Sequence, residues 1–117
     1  MTSILIVEDD HDTRVALRHM LEEAGYFVAS AGHGAAALMM LDSITKPTLI
    51  VADVNMPIMN GNQLIEALKT HPDWKSIPVI QISAADSEPS PGAFAHAKKP
   101  IDAESFLRMI ASSIGVD

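Results

Sequence analysis

A chain of 117 residues, 48% of them hydrophobic, is long enough for one domain with one core. The absence of cysteine excludes a disulfide scaffold and thiolate metal sites, and a net charge of −7 argues against direct contact with a nucleic-acid backbone, which needs a basic face. No stretch reaches the ~18 apolar residues of a membrane span, and Met1-Thr2-Ser3 runs straight into a strand-like segment with no room for a signal peptide, so the expected setting is soluble and cytoplasmic.

Ile4-Leu5-Ile6-Val7 reads as a first strand buried on both faces, followed at once by Glu8-Asp9-Asp10. A helix comes next, with Leu17, Met20, Leu21 and Ala24 on one face and Gly25 as its stop. Tyr26 to Ala29 is a short second strand, Gly32 and Gly34 fall in a loop, and a second helix runs from Ala35 to about Leu41. Leu49 to Asp53 is the third strand: an apolar run with Ile50 and Val51 that ends in a carboxylate, before the turn marked by Pro57 and Gly61. Asn60, with Gln63 three positions on, forms the capping box of a third helix whose apolar face is Leu64, Ile65 and Leu68 and which His71-Pro72 terminates. Ile77 to Ile82 is the fourth strand and ends in Ser83-Ala84. After a polar, proline-rich stretch, Ala93 to Ala97 is a weak fifth strand leading to Lys98-Lys99-Pro100. Asp102 caps a last helix with Phe106, Leu107, Ile110 and Ile114 inward.

Strands and helices alternate throughout, the pattern of a parallel sheet covered on both faces. The expected architecture is α/β, a flavodoxin-like doubly wound five-stranded sheet of order 2-1-3-4-5, with residues 1–117 forming a single domain. In such sheets ligands bind beyond the C-terminal strand ends, near the switch point between strands 1 and 3. Those strands end in Glu8-Asp9 and in Asp53; strand 4 ends in Ser83 and strand 5 in Lys99. Clustered carboxylates repel unless a cation or proton sits among them. With oxygen ligands only, the cation that fits is Mg²⁺. A cation, an ammonium and a hydroxyl around a nucleophilic carboxylate are the partners that phosphoryl transfer to aspartate requires.

Ile4-Leu5-Ile6-Val7-Glu8-Asp9, Asp53 with Met56-Pro57 and Gly61, Ile77-Pro78-Val79-Ile80 with Ser83-Ala84, and Lys99-Pro100 resemble, in that order and over essentially the whole chain, the receiver domain of two-component response regulators. The resemblance implies a phosphoacceptor signalling module of a two-component system or phosphorelay. It would take its phosphoryl group from a phosphohistidine on a histidine kinase or histidine phosphotransfer protein and pass the signal to a downstream protein partner, without nucleic-acid or membrane contact. Asp53 would be the phosphoacceptor and a metal ligand, Asp9 the main Mg²⁺ ligand, and Glu8 a second acidic residue acting through water. Asn55 would lend its backbone carbonyl. Ser83 would bind a phosphoryl oxygen and reorient, Lys99 would neutralise phosphoryl charge, and Pro100 would follow a cis peptide. Such a domain is not an enzyme acting on other molecules: it catalyses its own phosphorylation and slow autodephosphorylation. Asn55 and Ala85 would flank the route of the attacking water. Asp10 and Asp12 are read as helix N-terminal residues, Lys98 as a solvated neighbour of Lys99, and the methionines as core filler. The alternatives are a pseudo-receiver that binds partners without phosphorylation and, further off, a Mg²⁺-dependent aspartyl phosphohydrolase.

The sequence departs from the family twice. Three positions before Lys99 the family carries Tyr or Phe that swings inward with the Ser or Thr; here it is His96, which is either a switch residue that titrates near neutral pH or an exposed histidine on an edge strand. Residues 85–92 are too few for an average helix of about 11–12 residues, and Pro89 and Pro91 oppose helix locally. The family's fourth helix is therefore expected to be absent or cut to one turn. The face it helps to form could not then form in the usual way: either signalling runs through the last helix, the first helix or the loop itself, or the deletion is silent in a domain that never used this face.

Overall fold

In the computed structural model of the chain, residues 2–56, 59–84, 88 and 90–115 are described. Their order is β1 (Ser3–Val7), α1 (His11–Glu23), β2 (Phe27–Ala31), α2 (Gly34–Leu41), β3 (Leu49–Asp53), α3 (Gly61–Lys69), β4 (Val79–Ser83), β5 (Ala95–Lys98) and α4 (Ala103–Ser113). The five strands form one parallel sheet in the order β2-β1-β3-β4-β5, the flavodoxin-like arrangement. Pro57, Ala85, Asp86, Ser87 and Pro89, on which several sequence expectations fall, lie outside the described residues.

Alternation along each strand divides the core in two. Leu5, Val7, Ile50, Ala52 and Val79 face α2 and α3 and meet Leu41, Leu64, Ile65 and Leu68. Ile4, Ile6, Leu49, Val51, Ile80 and Ile82 face the other way and meet Leu17 and Leu21 of α1 and Phe106 and Ile110 of α4. Every residue of β3 is buried. Burying each such aliphatic side chain is worth about 1.5–3 kcal/mol, so the strand that delivers Asp53 to the sheet edge is held from both sides.

Local chemistry sets the helix starts. Asp10 accepts from Thr13 N–H at the head of α1. Asn60 and Gln63 exchange both bonds of a capping box at α3, and Asp102 accepts from Ser105 N–H at α4. Gly25 follows α1 at φ +97°, a backbone geometry that costs glycine nothing.

Four boundaries differ from the sequence reading. β2 runs from Phe27 to Ala31, not from Tyr26 to Ala29, because β1 pairs with it as far as Val7 beside Ala31. Gly34 is the first residue of α2, not a loop residue, because His33 caps that helix by accepting from Ala36 N–H at 3.1 Å. β4 begins at Val79, since Pro78 has no N–H for the ladder, although its carbonyl still accepts from Ile50 N–H at 3.0 Å. β5 begins at Ala95 and ends at Lys98.

Among the described residues no helix lies between β4 and β5. The short connection is tied down by Gln81, fully buried on β4. Its amide oxygen accepts from Ser90 N–H at 2.6 Å and its amide nitrogen donates to Ser90 Oγ at 2.9 Å. Gln81→Leu should strand the buried Ser90 N–H and cost about 2–3 kcal/mol, whereas Ser90→Ala keeps the backbone bond and should cost about 1 kcal/mol. Urea unfolding of the two variants checks this, and equal losses would show that the backbone bond is not what holds the segment.

Candidate functional site

β1 and β3 lie side by side and both end at the same sheet edge. Just past β1, Glu8 is anchored through its backbone: its N–H donates to Ala31 O at 3.1 Å and its carbonyl accepts from Arg14 Nη1 at 2.7 Å. Its carboxylate is thereby held inward, 1% exposed, while Asp9 next to it is exposed. Asp53 ends β3 at 6% exposure, and its Oδ1 accepts from Asn55 N–H at 3.0 Å. One carboxylate oxygen from each of Glu8, Asp9 and Asp53 falls within 4.8 Å of the others. Asp10 is turned away to cap α1, with Oδ2 on Thr13 N and Oγ1.

Lys99 reaches this cluster from the far end of β5. Its Nζ donates to Glu8 Oε1 and to Asp53 Oδ2, both at 3.2 Å. The strand end is fixed where Lys99 N–H donates to Ser83 O at 2.8 Å, and the Lys99–Pro100 peptide is cis. Ser83, fully buried at the end of β4, has its Oγ 2.6 Å from Nε2 of His96. His96, on the edge strand β5, is half-buried rather than exposed.

Gly61 belongs to the site as well as to the turn. A Cβ there would come within 2.9 Å of Asp53 O and Val54 Cα and 2.8 Å of Gln81 Nε2, so only glycine lets α3 start this close to the end of β3.

Electrostatics follow from the geometry. Burial is the largest influence on Glu8; its hydrogen bond with Asp53 and the charge of that carboxylate act in the same direction, and Lys99 only partly offsets them, so the Glu8 carboxyl is pushed up from 4.5 to about 7. For Lys99 the largest single influence, burial, pushes the ammonium down, but its bonds to Asp53 and Glu8 and their charges together outweigh it and leave the pKa raised above 10.5. Two contributors carried no signal in the sequence. Arg14, within α1, pins the Glu8 backbone, and Gln81, within β4, carries the crossover.

Residues 4–111 match the response regulator receiver domain family. The chain is 32% identical to Protein PilH of Pseudomonas aeruginosa over 116 residues, covering 94% of this chain and 95% of that one. Among solved structures it is similar to the signal receiver domain of a signal transduction histidine kinase from Syntrophus aciditrophicus, with TM-score 0.88 and 35% identity over 97% of this chain and 90% of that one. It is also similar to the chemotaxis protein CheY4 of Vibrio cholerae, with TM-score 0.87 and 29% identity over 97% and 98%.

Proposed function

The chain belongs to the response regulator receiver domain family and is a phosphoacceptor signalling module of two-component systems, and from that premise we propose that Asp53 is the residue that takes the phosphoryl group. The observation that carries this is the position of Asp53 at the end of β3, bonded to Lys99 Nζ and within a few ångströms of two further carboxylates. The donor set consists of oxygens alone around clustered negative charge, which fits a hard divalent cation. Asp9 and Asp53 would hold Mg²⁺ directly, Glu8 through water, and Asn55 by its backbone carbonyl. Bound there, the ion supplies positive charge against the oxygens of the incoming phosphoryl group.

The remaining work falls to the chain. An oxygen of Asp53 attacks phosphorus, the bond from phosphorus to the nitrogen of a phosphohistidine on a cytoplasmic histidine kinase or phosphotransfer protein breaks, and an acyl phosphate results. Lys99 neutralises charge on one phosphoryl oxygen and the Ser83 hydroxyl donates to another. Water later cleaves the acyl phosphate slowly. The phosphorylated domain then changes its affinity for a downstream protein partner, all within one domain over residues 1–117. Among the described residues no helix is long and apolar enough to cross a membrane.

Incubation with Mg²⁺ and acetyl phosphate, followed by intact mass, tests the assignment. One phosphoryl group per chain is expected, and none in Asp53→Ala. Label that survives in the variant would place the acceptor elsewhere.

A further inference from the structure

We propose that His96 sets the direction of the Ser83 hydroxyl proton, so that a phosphoryl group on Asp53 reverses the hydrogen bond between these two side chains and changes the tautomer of the imidazole. The proposal rests on the phosphoacceptor reading of Asp53.

A serine hydroxyl has one proton to give, and a neutral imidazole has one N–H and one bare nitrogen. Ser83 Oγ and His96 Nε2 are 2.6 Å apart, so one of them donates to the other. Ser83 is fully buried, and among the described residues its hydroxyl has no other partner than this nitrogen. If His96 were the donor, the buried O–H would have no acceptor among the described residues, and such a group costs about 1–3 kcal/mol. In the unphosphorylated domain Ser83 therefore donates to a bare Nε2, and the ring proton sits on Nδ1.

Phosphoryl oxygens only accept. When Ser83 gives its single proton to one of them, Oγ turns a lone pair toward Nε2. Two lone pairs at 2.6 Å repel, and the contact survives only if Nε2 carries a proton. One proton leaves Nδ1 for solvent and one arrives at Nε2 from solvent, which reaches the half-buried ring; the proton count and the charge of His96 are unchanged. His96 is thus a positioning residue that acts through Ser83. A phenyl ring in its place could fill the same space but could not accept the hydroxyl proton.

Among the described residues, the hydrogen bond to Ser83 is the one the His96 ring is seen to make. Gln81 lies directly opposite His96 in the β4–β5 ladder, but its amide is committed to Ser90. Asp102 borders the same surface cleft as His96, and its carboxylate is engaged with Ser105 N–H. The ammonium groups of Lys98 and Lys99 further along β5 and just beyond it have no lone pair and cannot accept from the ring. The result of reversal is a ring nitrogen that changes from donor to acceptor on an edge strand, a local difference that a partner can read.

Nitrogen NMR of the ¹⁵N-histidine-labelled protein, with Mg²⁺ and with or without beryllofluoride as the phosphoryl mimic, tests this. The His96 Nε2 resonance is expected in the unprotonated range without the mimic and in the protonated range with it. In Ser83→Ala, the His96 resonances should no longer follow the mimic. An unchanged tautomer, while the amides of Asp53 and Ser83 show the mimic bound, would overturn the proposal alone, as would a mimic response that persists in Ser83→Ala. No binding of the mimic at all would overturn the phosphoacceptor reading of Asp53 and the proposal with it.

Discussion

Lys99→Ala is expected to lower the unfolding free energy of the metal-free domain by about 2–4 kcal/mol at pH 8 and by less at pH 5. Lys99 Nζ is the cation bonded to both Glu8 and Asp53, which are 1% and 6% exposed. Removing one partner of a buried pair typically costs about 3–5 kcal/mol, because the remaining charge is left uncompensated. The lysine side chain is itself 33% exposed, so water already screens part of the attraction and the expected loss is shifted down from that range, to about 2–4 kcal/mol. The pH contrast comes from Glu8. At pH 5 its carboxyl, pushed up to about 7, already holds a proton, so one of the two negative charges that Lys99 compensates is absent. The lysine contributes no pH dependence of its own in this range. Its folded pKa is raised, so its stabilisation is fully present below about 10.5 and disappears only as pH rises through the folded value. Urea titrations in EDTA at the two pH values measure the difference. Equal losses would mean that the aliphatic stem of Lys99, and not its charge, matters to stability.

The strands that build this site were legible because their pattern has one physical reading. Leu49 to Asp53 is apolar until its last residue, and only a strand buried on both faces and ending at an open sheet edge satisfies that arrangement; its observed bounds are the same. The capping box of Asn60 and Gln63 was legible for a similar reason, since two reciprocal bonds need those side chains at that spacing. β2 was harder: Ala29, Ser30 and Ala31 carry little strand propensity, and its extent is set by pairing with β1. α2 was misjudged at its start because histidine is an uncommon cap and glycine ordinarily signals a loop. An added Cβ at Gly34 would lie 2.9 Å from Met59 Cγ and Sδ, so the methionine side chain would have to shift, and a contact between residues so far apart in the chain leaves no local mark.

At the site, the residue types at the strand ends could be read, but their mutual distances could not. That Ser83 and His96 touch depends on the β4–β5 register, which sets Gln81 opposite His96 and leaves Ser83 on the diagonal. A shift of one residue would point the imidazole to the other face of the sheet. The same register brings Lys98 opposite Ser83 and lets Lys99, one residue further, bond Ser83 O through its backbone and the carboxylates through its side chain. The shortened crossover was expected from Pro89 and Pro91. Its fastening by Gln81 was not, because a buried amide in a strand gains meaning only once Ser90 is seen to be its partner.

Glu8 should make the metal-free domain less stable as pH rises from 4.5 to 7. The folded state holds the Glu8 proton up to about 7, whereas the unfolded chain releases it near 4.5. Between those values the folded state binds more protons, so the slope of unfolding free energy with pH is negative. Stability is full below 4.5, falls across the window and is flat above it. The spread of the two values corresponds to a loss on the order of 3 kcal/mol, or a fall in Tm on the order of 10 °C for a domain of this size. Glu8→Gln keeps the shape and a hydrogen-bonding side chain but cannot ionise, so its melting temperature should lack this component and exceed that of the unsubstituted protein at pH 8. The difference between the two curves isolates Glu8 from other groups that titrate in the same range. Saturating Mg²⁺ should reduce the difference, because a divalent cation beside Glu8 and Asp53 favours both in their charged forms. Binding of Mg²⁺ should then tighten as pH rises through 7 and release a proton below it, which calorimetry in buffers of different ionisation enthalpy would register. Parallel melting curves for the two proteins from pH 4.5 to 8 would show that Glu8 is ionised alike in the folded and unfolded states, and that burial against Asp53 does not hold its proton.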